Sequence, residues 1–266
     1  MSYYVPKKLL SFKNSKTVKG EKLGVKTAIL YLAPYTQNSK GINLCSHASD
    51  GCAKACLFGS GAARFSSVQA GKMNKTEYYL ADRKSFMLQL KSEIETIVRL
   101  HSSKWDIAIR LNGTSDIPFY KFKVVDDKNL MELFPKVQFY DYTKNYLSFD
   151  KELPSNYHLT FSRSENNHKK SLELLNRGFN VAMVFGVKNS NQLPKTYMGF
   201  KVIDGDETDL RYLDPKNVIV GLKYKNLTGA GSKGKNDYSE NDFIIKVPNT
   251  VVTYEFIKHD EFVMSE

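Results

Sequence analysis

Seven short runs rich in β-branched and aromatic residues recur along this chain, most of them separated by a helical pattern or a long connection. They are KTAILYLAP (26–34), WDIAIRLNG (105–113), VQFYDYT (137–143), YHLTFSRS (157–164), FNVAMVFG (179–186), GFKVIDGD (199–206) and NVIVGLKYK (217–225). Tyr79, Phe86, Leu90, Ile94, Ile97 and Val98 fall at helical spacing and predict a helix over about 76–100. DDKNLMELFP predicts a short helix closed by Pro135, and NNHKKSLELLNRG a helix stopped at Gly178. Alternating strands and helices of this kind imply parallel strands joined by crossovers. The expected fold is α/β: a single-domain parallel (β/α) barrel, full or partial and TIM-like.

One domain covers residues 1–266, with a basic N-terminal segment at 1–25 and a mobile basic loop at 226–242. A hydrophobic fraction of 41% with 12% aromatic residues supplies an ordinary core and excludes wholesale disorder. MSYYVPKKLLSF lacks the apolar run of a secretory signal, and no stretch reaches membrane-spanning length. The expectation is a cytoplasmic protein with no membrane partner.

All three cysteines stand in one stretch, INLCSHASDGCAKACLFGSGAARF, spaced C-x6-C-x3-C at Cys45, Cys52 and Cys56. An odd number cannot pair fully into disulfides, and in a reducing compartment clustered thiols more often bind metal or do chemistry. Three readings stay open. The thiolates hold three irons of a 4Fe–4S cluster, leaving the fourth iron open to a small ligand. Alternatively, they bind zinc with His47 in a Cys3His set. In the third reading they are unligated, with Cys56 packed against Leu57 and Phe58. The loop is long and carries Gly41, Gly51, Gly59 and Gly61, which lets backbone amides approach sulfur closely.

Several strands break sharply into polar clusters. Arg110, Asn112, Thr114 and Asp116 follow the second run, Asp141 and Lys144 end the third, and Ser162 and Arg163 end the fourth. In parallel α/β folds ligands bind at the carboxyl ends of strands, so these eight residues are the candidate ligand-binding set. The cysteine loop follows the first strand and belongs to the same rim. No catalytic residue is assigned: His158 falls inside a strand, His168 at a helix start, and neither sits beside an identifiable nucleophile. Asp204, Asp206 and Asp209 lack the remaining spacing of a calcium loop.

That placement of the cysteine loop resembles the radical S-adenosylmethionine enzymes, in which three cysteines after the first strand hold a 4Fe–4S cluster that binds S-adenosylmethionine. A closer resemblance is to the phage gene product 88 domain family. It lies in LCSHASDGCAKACLFGSGAARF, RLNGTSDI (110–117), FYDYTK (139–144), FSRSENN and DGDETDLRYLD, and extends over about 27–225. It implies a viral origin and action inside a bacterial host, without a settled activity. The net charge of +11, from 39 Lys and Arg against 28 Asp and Glu, favours anionic partners and admits nucleic acid. The sequence thus supports a radical-SAM-like cluster protein with a small-molecule ligand. Its rival is a non-enzymatic cluster or zinc protein that binds nucleic acid or a host protein through its basic surface.

Overall fold

The computed structural model describes residues 3–12, 15–56, 63, 65–225 and 240–247. Each of the seven expected runs forms a strand. They are β2 (Val25–Leu30), β3 (Asp106–Arg110), β4 (Gln138–Thr143), β5 (Tyr157–Ser162), β6 (Val181–Phe185), β8 (Phe200–Asp204) and β9 (Ile219–Lys223). Three short strands join them: β1 (Leu10–Ser11), β7 (Thr196–Tyr197) and β10 (Ile244–Ile245). The sheet runs β1-β2-β3-β4-β5-β6-β9-β8-β7, and β10 also pairs with β6. From β2 through β9 to β8 every pairing is parallel. Antiparallel β1 and β7 finish the edges.

The parallel sheet is as expected, but among the described residues no pairing joins β2 to β8, so hydrogen bonds do not close it into a barrel. The connection between β8 and β9 reaches back across one face instead. Its Leu210 packs with Val25, Ala108 and Tyr140 from β2, β3 and β4, and Tyr212 lies against this cluster. The opposite face, carrying Ile107, Ile109, Phe139, Leu159 and Phe161, packs under the helices in one large core. Strand alternation separates the two faces, since neighbours such as Phe139 and Tyr140 point opposite ways.

The expected long helix changes. The helix over 76–100 is two helices, α3 (Ser66–Ala81) and α4 (Arg83–His101). Asp82 breaks them apart: its backbone leaves the helical region (φ −144°, ψ 80°) and its carboxylate caps Ser85 N at 2.9 Å. The polar first turns of α3, SSVQAGKMNK, carry no apolar stripe that a sequence reading would register. A two-residue β7–β8 hairpin also went unforeseen, because Met198 takes φ 51° beside Gly199 at 83°, a conformation usually left to Asn or Gly. Within the basic segment at 1–25, the described residues include β1 and, after it, α1 (Ser15–Glu21). The loop expected at 226–242 lies outside the described residues as far as 239. After it, β10 slots beside β6 at Val184 and Phe185, just beyond the two residues that pair with β5. Among the described residues no helix is long and apolar enough to cross a membrane.

Glu93 on α4 fastens the N-terminal segment. Its carboxylate accepts from Leu9 N at 2.8 and 3.0 Å and from Leu10 N at 2.9 Å, while Lys75 Nζ donates to Leu9 O at 2.6 Å. Hydrogen bonds to a charged acceptor contribute more than neutral ones. Glu93→Ala should therefore lower unfolding stability by about 2 kcal/mol, read from a urea midpoint. An unchanged midpoint would show that this segment adds nothing to the folded domain.

Candidate functional site

Beyond β2 a long connection leads to a short helix, α2 (Asp50–Lys54), which carries Cys52. Ser49 caps it, its Oγ accepting from Cys52 N at 3.2 Å. The same hydroxyl donates to Glu165 Oε2 at 2.7 Å, and Gly51 N donates to Glu165 Oε1 at 2.7 Å. Asn241 Nδ2 donates to Gly51 O at 3.1 Å. A Cβ at position 51 would stand 2.5 Å from Asn241 Oδ1 and 2.7 Å from Glu165 Oε1, so glycine allows both clamps to close.

Cys45, Cys52 and Cys56 all line one cavity of about 270 Å³. None is in a disulfide. Arg110, Asn112, Thr114, Asp116, Lys144 and Ser162 line the same cavity, so six of the eight expected ligand-binding residues meet the cysteines. The loop after β3 reaches this place because Gly113 lies against β2. Gly113 N donates to Leu30 O at 2.9 Å, and a Cβ there would stand 2.7 Å from that oxygen and 2.5 Å from the Tyr31 ring.

The other two expected residues stand elsewhere. Asp141 is buried on the helix-covered face, one residue off the face that Tyr140 and Tyr142 share. Its carboxylate accepts from Asn112 N (2.7 Å), Asn112 Nδ2 (3.1 Å) and Tyr157 OH (3.0 Å), so it shapes the cavity wall from behind. Arg163 turns away to donate to Asp242 O (2.6 Å) and Phe243 O (2.9 Å), anchoring the segment that holds β10. It lines a second, more open hollow with Glu165 and His168. Asp141 alternates with Tyr140 and Tyr142 along β4 and so points to the other face, whereas Arg163 lies one residue past the end of β5 and is held away by Asp242 and Phe243.

Other cavity residues carry little sequence signal. Tyr142 lies under the Arg110 guanidinium, 4.7 Å from its ring centroid. Phe243 arrives from β10's segment, and Asp209 from the β8–β9 connection. Asp209 accepts from Arg110 Nη1 at 2.8 Å and from Tyr140 OH at 3.3 Å. Burial opposes the Arg110 charge, but the Asp209 carboxylate more than offsets it and keeps the guanidinium protonated.

The thiols have a definite chemistry. Burial pushes the Cys45 thiol up to about 12, opposed by a backbone hydrogen bond from Tyr35 and reinforced by the other two cysteines. Its Sγ lies 3.7 Å from Thr114 O, an acceptor that suits the protonated form. Such a thiol is a poor nucleophile, since the thiolate does the attacking. It becomes a thiolate when a cation displaces its proton.

Among the described residues no three His, Cys, Asp or Glu side chains gather closely enough to hold one metal ion. A single zinc with Zn–S bonds of ~2.3 Å would draw thiolates to within about 4 Å of each other. His47 is exposed and hydrogen-bonds Ser46 Oγ at 2.9 Å, outside the cavity lining. Thiolates of an iron–sulfur cluster each take a different iron and stand further apart than the ligands of a single zinc. Leu57 and Phe58, the packing partners expected for an unligated Cys56, lie outside the described residues.

These features define a mostly parallel α/β protein with a cysteine-lined cavity at the carboxyl ends of its strands. The chain belongs to the gene product 88 family, whose model matches residues 8–238. No curated protein and no solved structure matched. None of these comparisons supports a relationship to radical S-adenosylmethionine enzymes.

Asp141 makes a pH signature. Burial raises its carboxyl to about 7 despite three donors that favour the anion. In the unfolded chain an aspartate ionises near about 4, so the unfolded state loses its proton first as pH rises. This group's contribution to stability is fully present below about pH 4 and is lost by about pH 7. Asp141→Asn, which cannot ionise, should flatten that part of the profile when thermal unfolding is followed from pH 4 to 8. Parallel profiles for the two proteins would place the titration elsewhere.

Proposed function

We propose that the protein is a phage-encoded iron–sulfur protein of the host cytoplasm, holding a 4Fe–4S cluster through Cys45, Cys52 and Cys56. The observation that carries this reading is the meeting of all three thiols in one cavity at the strand ends, beside charged and hydroxyl side chains suited to a small ligand. When bound, the cluster supplies an iron position open to a ligand and one-electron chemistry.

The chain's own residues would do the rest. Glu165 and Asn241 hold the turn that carries Cys52, and Ser49 caps it. Asp141 and Asn112 fix the loop that forms the facing wall. Arg110, Thr114, Asp116, Lys144 and Ser162 orient the ligand, with S-adenosylmethionine the first candidate to test. The high pKa of Cys45 argues against a rival role as a nucleophilic cysteine.

Anaerobic reconstitution tests the reading. The protein should turn brown and take up about four irons and four sulfides per chain. Replacing any one cysteine by alanine should abolish most of this uptake, because two thiolates hold a cubane weakly. Adding S-adenosylmethionine to the reduced cluster should shift its electron paramagnetic resonance spectrum. Colourless protein with stoichiometric zinc would overturn the cluster, and three alanine variants with full iron and sulfide would overturn the ligand assignment.

A further inference from the structure

Donors left without acceptors show what chemistry the cavity wants. Lys144 stands at the end of β4, its backbone N donating to Asp116 Oδ2 at 2.9 Å. Its ammonium donates to the Ser162 hydroxyl at 2.7 Å and lies 5.4 Å from the Phe243 ring centroid. No carboxylate pairs with it among the described residues. The three aspartates that line the cavity are each engaged by another donor. Asp116 takes the Lys144 amide, Asp209 takes Arg110 and Tyr140, and Asp206 takes Lys223 N at 3.1 Å and Lys225 at 3.6 Å.

Two further cavity-lining groups, Arg110 Nε and Tyr142 OH, are buried with no hydrogen-bond partner. Each can donate. Ser162 accepts from Lys144 and so keeps its own proton to give. A buried donor without an acceptor is costly, and a part-buried ammonium facing only a hydroxyl and a ring is more so. An acceptor-rich, negatively charged group would meet the needs of the Lys144 ammonium and the Ser162 hydroxyl, which lie together on the cavity wall.

We infer that the cavity takes a small molecule bearing an oxyanion, carboxylate or phosphate, seated against the Lys144 ammonium and the Ser162 hydroxyl with Phe243 as its apolar wall. This rests on the cavity being the ligand site proposed above, but not on the cluster. It therefore deepens that reading and can be tested without iron.

The experiment uses metal-free full-length protein. Inorganic phosphate and acetate are titrated separately by calorimetry, and alkylation of the three cysteines is timed with and without each anion. At least one anion should bind and slow alkylation, because the thiols share the cavity; which one does so distinguishes phosphate from carboxylate. Lys144→Ala should weaken that binding at least about tenfold, the loss of a charge-assisted contact. Lys144→Arg should retain it. Ser162→Ala should weaken it less and serves as the test should Lys144→Ala fail to fold. Neither anion binding, or equal binding and equal protection in the lysine and serine variants, would overturn the assignment. Failure to take up iron would sink the cluster and leave this result standing.

Discussion

An ion pair between Arg110 and Asp209 links two parts of the chain that no strand pairing joins. Arg110 ends β3, and Asp209 sits in the connection that leaves β8 and returns to β9. Both partners are largely buried, and the guanidinium also lies over Tyr142. Removing one partner of such a pair typically costs about 3–5 kcal/mol, because the other is left charged in a poor solvent. The pair therefore holds Leu210 against Val25, Ala108 and Tyr140, and sets the floor on which the cavity stands. Where hydrogen bonds leave the sheet open, a salt bridge and a small apolar cluster bring its two ends together.

The cavity's walls come from distant parts of the chain, and that explains how its polar groups divide. Those on the cavity side are ends of strands in even register: Arg110, Lys144 and Ser162. Asp141, one residue from both Tyr140 and Tyr142, faces the helices and becomes scaffold. Three positions along the chain thus separate an aspartate that holds the neighbouring loop in place from a ligand-facing lysine just past β4's end.

Much of this was legible in the sequence, and the reasons differ by element. Most of the main strands announce themselves because parallel strands buried on both faces are nearly continuous apolar runs, β8 being the partly exposed exception. The gathering of cysteines with Arg110, Asp116 and Lys144 follows from one topological rule about strand ends. Asp82 hid the break between α3 and α4 because the apolar spacing continues across it. Asp141 and Arg163 stand beside cavity residues in the sequence, but such nearness says nothing about side-chain direction. Phe243 and Asn241 could not be foreseen, since β10 is two residues long and follows a glycine- and lysine-rich stretch. Net charge gave no guide to a nucleic-acid surface; the cations that matter for the cavity are individual, and most have partners.

The clamp from Asn241 to Gly51 spans 190 residues. A ribosome adding roughly 5–20 residues per second would take on the order of 10–40 s between delivering the cysteine turn and delivering the side chain that fastens it. Through that interval the three thiols travel on an unfinished template, open to oxidants and to whatever ions the cell carries. The site is thus completed late, by a segment made long after the cysteine turn, and a chain cut short before residue 240 would bear all three sulfurs without this fastening.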